Sequence, residues 1–181
     1  MLLSIHELNT YYGASHVLRG ISLDVAPGEV VALLGRNGMG KSTVLKSVIG
    51  LVRPHSGSVS LAGSDITGHA PFKVARAGVG YVPDERRIFA DLSVLDNLLL
   101  GVKGGKAADR DDPRVWTLER IFGHFPRLRE RQHPKGRFLS GGEQQMLAIG
   151  RALMGKAHIG FTGTVQAQQD IPAAREKYLE V

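Results

Sequence analysis

The sequence predicts an α/β domain, and three observations carry that expectation. An unbroken apolar run, "VVALLG" (30–35), leads into a glycine-rich turn and a helix-forming stretch. Alternating and apolar runs suited to strands crowd the first part of the chain. A block of helical periodicity fills the middle, so strands and helices alternate around Gly35 as a strand–loop–helix unit requires.

Taken in order, strands are expected at 2–8, 17–24 and 30–35, the last continuous as in a strand buried on both faces. A helix should begin near Gly40 and run to Ile49, where Gly50 stops it. "GSVSLAG" (57–63) reads as a strand bounded by glycines. "PFKVARAG" (71–78) is a short helix, and "VGYVP" (79–83) a strand ended by proline. Residues 93–101 and 114–132 look helical, joined by the polar, Gly-rich "GVKGGKAADRDDP" (101–113). Another helix follows "LSGG" and continues through Met154. The tail offers a strand at "HIGFTG" (158–163) and a last helix over 171–179, with Asp170 as its cap.

Composition narrows the class. At 181 residues, 43% hydrophobic and 22% charged, the chain suits one folded domain and is not disordered. It has no cysteine, which excludes disulfides and thiolate metal sites and suits a reducing compartment. No apolar run approaches the ~18 residues of a spanning helix, and "MLLSIHELNT" lacks the basic start and long apolar core of a signal peptide. A soluble, cytosolic protein is expected. Much of the net charge of +6 lies in "FPRLRERQHPKGRF" (125–138). That stretch has no interleaved aromatic platform, so it is read as a solvated face and not as a nucleic-acid surface.

"GRNGMGKST" (35–43) satisfies G-x-x-x-x-G-K-[ST], with Gly35, Gly40, Lys41 and Ser42 in register. Successive amides of such a turn point inward and form an anion nest, and the following helix adds its positive end. Gly38 and Gly40, flanking Met39 and preceded by Asn37, keep side chains away from the phosphates. Lys41 would reach the β- and γ-phosphates of a nucleotide, and the Ser42 hydroxyl would hold Mg²⁺ beside Thr43. "LSGGEQQ" (139–145) opens another helix with Ser140, Gly141 and Gly142, a second set of bare amides at a helix start. Ser140 followed by Glu143 is also a capping box, so the motif can be a plain helix cap.

Together the two motifs resemble the ATP-binding subunits of ABC transporters, over nearly the whole chain. The resemblance implies an ABC ATPase domain of the P-loop NTPase kind spanning 1–181, with an N-terminal antiparallel β subdomain and a helical subdomain at about 85–140. It implies a head-to-tail sandwich of two ATP-binding subunits, in which the signature of one (Ser140, Gly141, Gly142) closes over ATP and Mg²⁺ held by the phosphate loop of the other. Tyr12 of "TYYGAS" matches the aromatic that stacks on adenine, with Tyr11 the neighbouring alternative. "GVGYVPDERRIFADLSVLDNL" (78–98) is similar to the second ATP-binding subunit of branched-chain amino-acid importers, and urea importers share much of it. Asp84 falls where this branch has glutamate, at a position that helps hold the metal and attacking water. The resemblance thus implies transmembrane permease partners and a peripheral place on the cytoplasmic face of the membrane.

One part of the pattern is absent. After "GRALMG" (150–155) the family continues with an apolar strand closing in Asp-Glu, the Walker B acids, then a D-loop and a switch histidine. Here no carboxylate stands between Glu143 and Asp170, and the text passes directly to a tail that resembles the family's C-terminal strand and helix. The join falls near Lys156–His158. A strand–helix–strand stretch, on the order of 50 residues with its loops, would be gone, and the core sheet truncated. Its loss would leave a sheet neighbour unpaired. Asp84–Glu85 also ends an apolar run, as in other P-loop enzymes, but Pro83 breaks that strand just before the acids. His158 reads as a strand-start surface residue and not as the switch histidine. No catalytic residue is therefore identified beyond a metal or water contact at Asp84, and hydrolysis by the chain is expected to be slow or nil. A non-catalytic ATP-binding regulatory module is the alternative. A P-loop kinase or nucleic-acid ATPase is opposed by "LSGGEQQ".

Overall fold

The computed structural model describes residues 1–83, 85, 87–102, 115–156, 159–162 and 174–178, with side chains through residue 154. The first elements are β1 (Leu3–Tyr12), β2 (Ser15–Val25), β3 (Val30–Leu34), α1 (Lys41–Val48), β4 (Ser56–Leu61), β5 (Ser64–Asp65) and α2 (Pro71–Arg76). There follow β6 (Val79–Val82), α3 (Val94–Leu99), β7 (Val115–Trp116), α4 (Leu118–His124), α5 (Pro126–Glu130) and α6 (Gly141–Leu153). Last come β8 (Gly155–Lys156), β9 (Ile159–Thr162) and β10 (Ala174–Tyr178). They gather into two compact units, one of Met1–Ala77 with β10, the other within Gly78–Thr164.

In the first unit an antiparallel sheet runs in the order β2-β1-β4-β5. β1 is its centre, with Ile5 opposite Leu23 on one side and Val59 on the other. Strand alternation buries Leu3 and Ile5, shifts phase at Glu7, which has φ 47°, and then buries Leu8 and Thr10. Val44 and Val48 of α1 are buried too. The Thr10 and Ser47 hydroxyls share a buried 3.0 Å hydrogen bond, which fastens β1 to α1.

β3 pairs in parallel with β10, from Val30 opposite Ala174 to Leu34 opposite Tyr178. This corrects the expected last helix over 171–179: residues 174–178 are a strand, and Asp170 lies outside the described residues. The local sequence suits a helix, but β3 presents backbone donors and acceptors that need partners, and that long-range pairing prevails. β10 takes one edge of β3 in a two-stranded sheet, so among the described residues the other edge of β3 has no strand beside it, as expected of a truncated core sheet. Within the other unit β6 has β9 as a parallel partner, from Val79 opposite Ile159 to Val82 opposite Thr162.

The other described elements of the second unit are the β7–β8 pair and helices. The unit's core joins Val94 and Leu98 of α3, Ile121 of α4, Leu128 of α5 and Leu147 of α6. The single helix expected over 114–132 is instead β7, α4 and α5. Thr117 caps α4 by accepting the Arg120 N–H at 3.3 Å. Pro126 ends that helix, because its ring bars Phe125 from helical geometry (φ −124°, ψ 71°), and α5 starts at the proline itself. β7 pairs with β8.

Candidate functional site

The phosphate loop lies where its pattern requires, between the last residue of β3 and the first of α1. Residues 35–38 are exposed, and Gly35, Gly38 and Gly40 have φ of 150°, 92° and 81°. Met39 N–H closes a turn on the Arg36 carbonyl oxygen at 3.2 Å. Gly40 then caps α1 in the left-handed conformation and accepts the Val44 N–H at 2.9 Å. Its φ of 81° strains any residue with a β-carbon, which would also lie 2.7 Å from Leu18 Cδ2 and 3.3 Å from the Val17 carbonyl oxygen of β2, so the position favours glycine. A β-carbon on Gly38 would meet nothing within 4 Å, which leaves the outer side of the loop open.

Among the described residues no side chain caps α1 at Gly40 and its first turn holds no acid, so the positive helix end faces the loop without a neighbouring carboxylate in that turn. Lys41 Nζ folds back over the loop and donates to the carbonyl oxygens of Gly35 at 2.7 Å and Arg36 at 2.8 Å. Thr43 is buried beneath the loop and Ser42 is half-buried at the first turn. A triphosphate fits this arrangement: exposed amides, an open face, and an ammonium already aimed along the loop. Among the described residues no group of three or more histidines, aspartates or glutamates could hold a metal ion. Mg²⁺ needs no such cluster, since it retains several waters and takes few protein ligands beside phosphate oxygens.

Tyr11 and Tyr12 separate by face. Strand alternation puts Tyr12 with Leu8 and Thr10, on the side of β1 that meets α1. Tyr12 is exposed there, at the end of the strand. Tyr11 points the other way, stacked on His16 with centroids 4.1 Å apart and edge-on to His55 at 5.2 Å. Of the two rings, Tyr12 is the one that makes no aromatic contact among the described residues.

The signature belongs to the other unit. Ser140, Gly141 and Gly142 are exposed at the start of α6, and a β-carbon on Gly142 would meet nothing within 4 Å. The capping box is formed in full: Glu143 N–H donates to Ser140 Oγ at 3.3 Å, and Ser140 N–H to Glu143 Oε2 at 2.8 Å. These bonds, that to the Ser140 backbone foremost, hold the Glu143 carboxyl below its ordinary value; Arg131, 3.8 Å away, and Arg127 act in the same direction. The box engages the Ser140 hydroxyl and N–H, while Gly141 and Gly142 stay exposed beside it. Upstream, the basic stretch is locally engaged. Arg127 pairs with Glu130 at 2.8 Å, Arg137 with Asp91, and Arg129 stands over the Phe122 ring.

Asp84 and His158 lie outside the described residues. Asn97 of α3 and Arg151 of α6 meet in the structure; the sequence signal for the first is a polar residue inside the apolar run "SVLDNLLL". Asn97 is fully buried, and Arg151 donates to it at 3.4 Å.

Comparison with known proteins bears on this arrangement. The family described as ABC transporter matches residues 18–161. The chain is 42% identical, over 155 residues, to a high-affinity branched-chain amino acid transport ATP-binding protein of Pseudomonas aeruginosa, covering 86% of this chain and 65% of that protein. It is 37% identical over 153 residues to a probable branched-chain amino acid transport ATP-binding protein of Archaeoglobus fulgidus, covering 84% and 63%. The chain thus spans less than two thirds of the length of these relatives. Among solved structures, an ATP-binding subunit of an ABC transporter superimposes with a TM-score of 0.70 at 30% identity, covering 83% of this chain and 61% of that one. A nucleotide-free ATP-binding cassette gives 0.68 at 28% identity, with 84% and 64% covered.

Proposed function

The chain belongs to the ABC transporter family, and from that premise we propose that it is an ATP-binding subunit of an importer, holding MgATP between residues 35–43 of one subunit and Ser140–Gly142 of another. The carrying observation is that both glycine-framed motifs sit at helix starts with their outer faces open. Tyr12 would stack on adenine, Lys41 would bind the terminal phosphates, and Ser42 with Asp84 would hold Mg²⁺.

Branched-chain amino acids are the cargo this reading favours, on the names of the relatives and on "YVPDERRIF" (81–89). Permease subunits and a second ATP-binding subunit would be the partners, with the protein peripheral on the cytoplasmic face of the membrane. Among the described residues no helix is long and apolar enough to cross one. We take 1–181 as one ATP-binding cassette from which the Walker B, D-loop and switch-histidine segment has been lost after about 156.

The lost acids limit the chemistry. Phosphoryl transfer depends on positioning and on charge aimed at the reacting oxygens, and no carboxylate occurs from 144 to 169 to polarise water. The expected result is saturable MgATP binding with negligible steady-state phosphate release. Release at the rate of a working transporter ATPase would overturn the second half of that statement, and absence of MgATP binding the first. The same lack favours a second reading, a non-catalytic ATP-binding module. Nucleotide-dependent dimerisation without turnover supports it; stimulated turnover with a permease complex supports the importer.

A further inference from the structure

The loop after β6 carries backbone strain that something must hold. Arg87 has φ 36°, a left-handed conformation that residues with a β-carbon adopt at a cost. Its N–H turns back onto the Glu85 carbonyl oxygen at 2.6 Å, and its side chain pairs with Glu85 at the surface. Both contacts are internal to the loop.

The tie to the rest of the unit comes from the last turn of α6. Arg151 Nη2 donates to the Arg87 carbonyl oxygen at 2.6 Å, across 64 residues of sequence. The same guanidinium stands over the Phe89 ring, 5.0 Å from its centre. Its Nη1 donates to Asn97 Oδ1 at 3.4 Å. Asn97, fully buried in α3, in turn fixes both backbone groups of Phe89: Oδ1 accepts the N–H at 2.9 Å and Nδ2 donates to the carbonyl at 2.9 Å. Nδ2 also donates to the Ser93 carbonyl oxygen at 2.9 Å. Gly101, just past α3, lies where a β-carbon would come 2.1 Å from the Arg151 carbonyl oxygen, so the two backbones are in contact there.

We propose that Arg151 and Asn97 are positioning residues: they clamp residues 87–89 to α6, so that this loop moves with the helix that carries Ser140, Gly141 and Gly142 at its other end. Neither residue touches nucleotide in this scheme. Each acts through the loop it holds. That α6 responds to MgATP rests on the proposed function; the clamp itself does not.

Hydrogen–deuterium exchange on the full chain tests both parts, with wild type, Arg151→Gln and Arg151→Lys, each with and without MgATP. Without nucleotide, R151Q should exchange amides of 85–92 about tenfold faster or more, the scale of a lost charge-assisted hydrogen bond. Peptides from α1 and β1 should keep their rates. R151K keeps the charge but lacks the planar fork, so its loop should fall between. With MgATP, the wild type should gain protection at 85–92 and at 140–150 together, and R151Q at 140–150 alone. A loop rate in R151Q equal to wild type overturns the clamp. If R151Q exchanges fast throughout α1 and β1 it has unfolded, and R151K decides: a loop rate above wild type supports the clamp and an unchanged one overturns it. Protection of only one of the two segments in the wild type overturns the coupling. A wild type that does not bind MgATP sinks the proposed function, while the nucleotide-free comparison still judges the clamp.

Discussion

The Lys41 ammonium lies 2.7 Å from the Gly35 carbonyl oxygen, the first residue of the loop that Lys41 itself follows. With its second bond, to the Arg36 carbonyl oxygen at 2.8 Å, it ties the start of the loop to the first turn of α1. Those two carbonyls are exposed and water can replace the lysine on them, so the contribution to stability is small.

Lys41→Ala should accordingly leave the folded state nearly as stable while costing nucleotide affinity. Losing charge-assisted bonds to phosphate weakens MgATP binding by about 10- to 100-fold. Titration with a fluorescent ATP analogue, alongside urea unfolding, checks both halves. A variant that binds as well as wild type removes Lys41 from the phosphate site.

Tyr11 and Tyr12 should behave oppositely. Stacking on a base is worth about 1–3 kcal/mol by alanine substitution, so Tyr12→Ala should weaken MgATP binding by about 5- to 100-fold. Tyr11→Ala loses the His16 stack and the His55 edge contact, about 0.5–1.5 kcal/mol of stability, and leaves affinity within about twofold. The same titration with thermal unfolding separates them. Equal loss of affinity in both variants would sink the assignment of the adenine stack to Tyr12.

What could be read from the sequence was local. The phosphate loop is a run of contiguous residues whose types answer to one backbone shape, and Ser140–Glu143 is a cap closed within a single turn. Pro126 is as visible as either, yet the apolar period through 114–132 suggests one helix where a single ring bars Phe125 from it. The segment Ala174–Tyr178 could not be read this way. "AREKY" favours helix on its own, and only β3, far away in sequence, makes it a strand. Arg151 likewise looks like a surface cation of a helix until the fold brings Arg87 beneath it.

The capping box makes a pH-dependent contribution whose sign follows from Glu143. Its carboxylate accepts the Ser140 N–H at 2.8 Å, which with the Ser140 hydroxyl contact and Arg131 holds its pKa below the ordinary 4.5. A carboxyl lowered in the folded state binds a proton more readily when unfolded. Its stabilisation is therefore complete above the unfolded value and is lost as pH falls from about 4.5 through the lowered folded value. Glu143→Gln keeps an acceptor but cannot titrate. The stability gap between wild type and E143Q should be widest near pH 7 and close as urea unfolding is repeated from about pH 5 to about pH 3. Ser140→Ala, which removes the cap outright, should cost about 1 kcal/mol near neutrality. A gap unchanged across the acid range would show that Glu143 is no more acidic folded than unfolded, and the box would then contribute nothing through its charge.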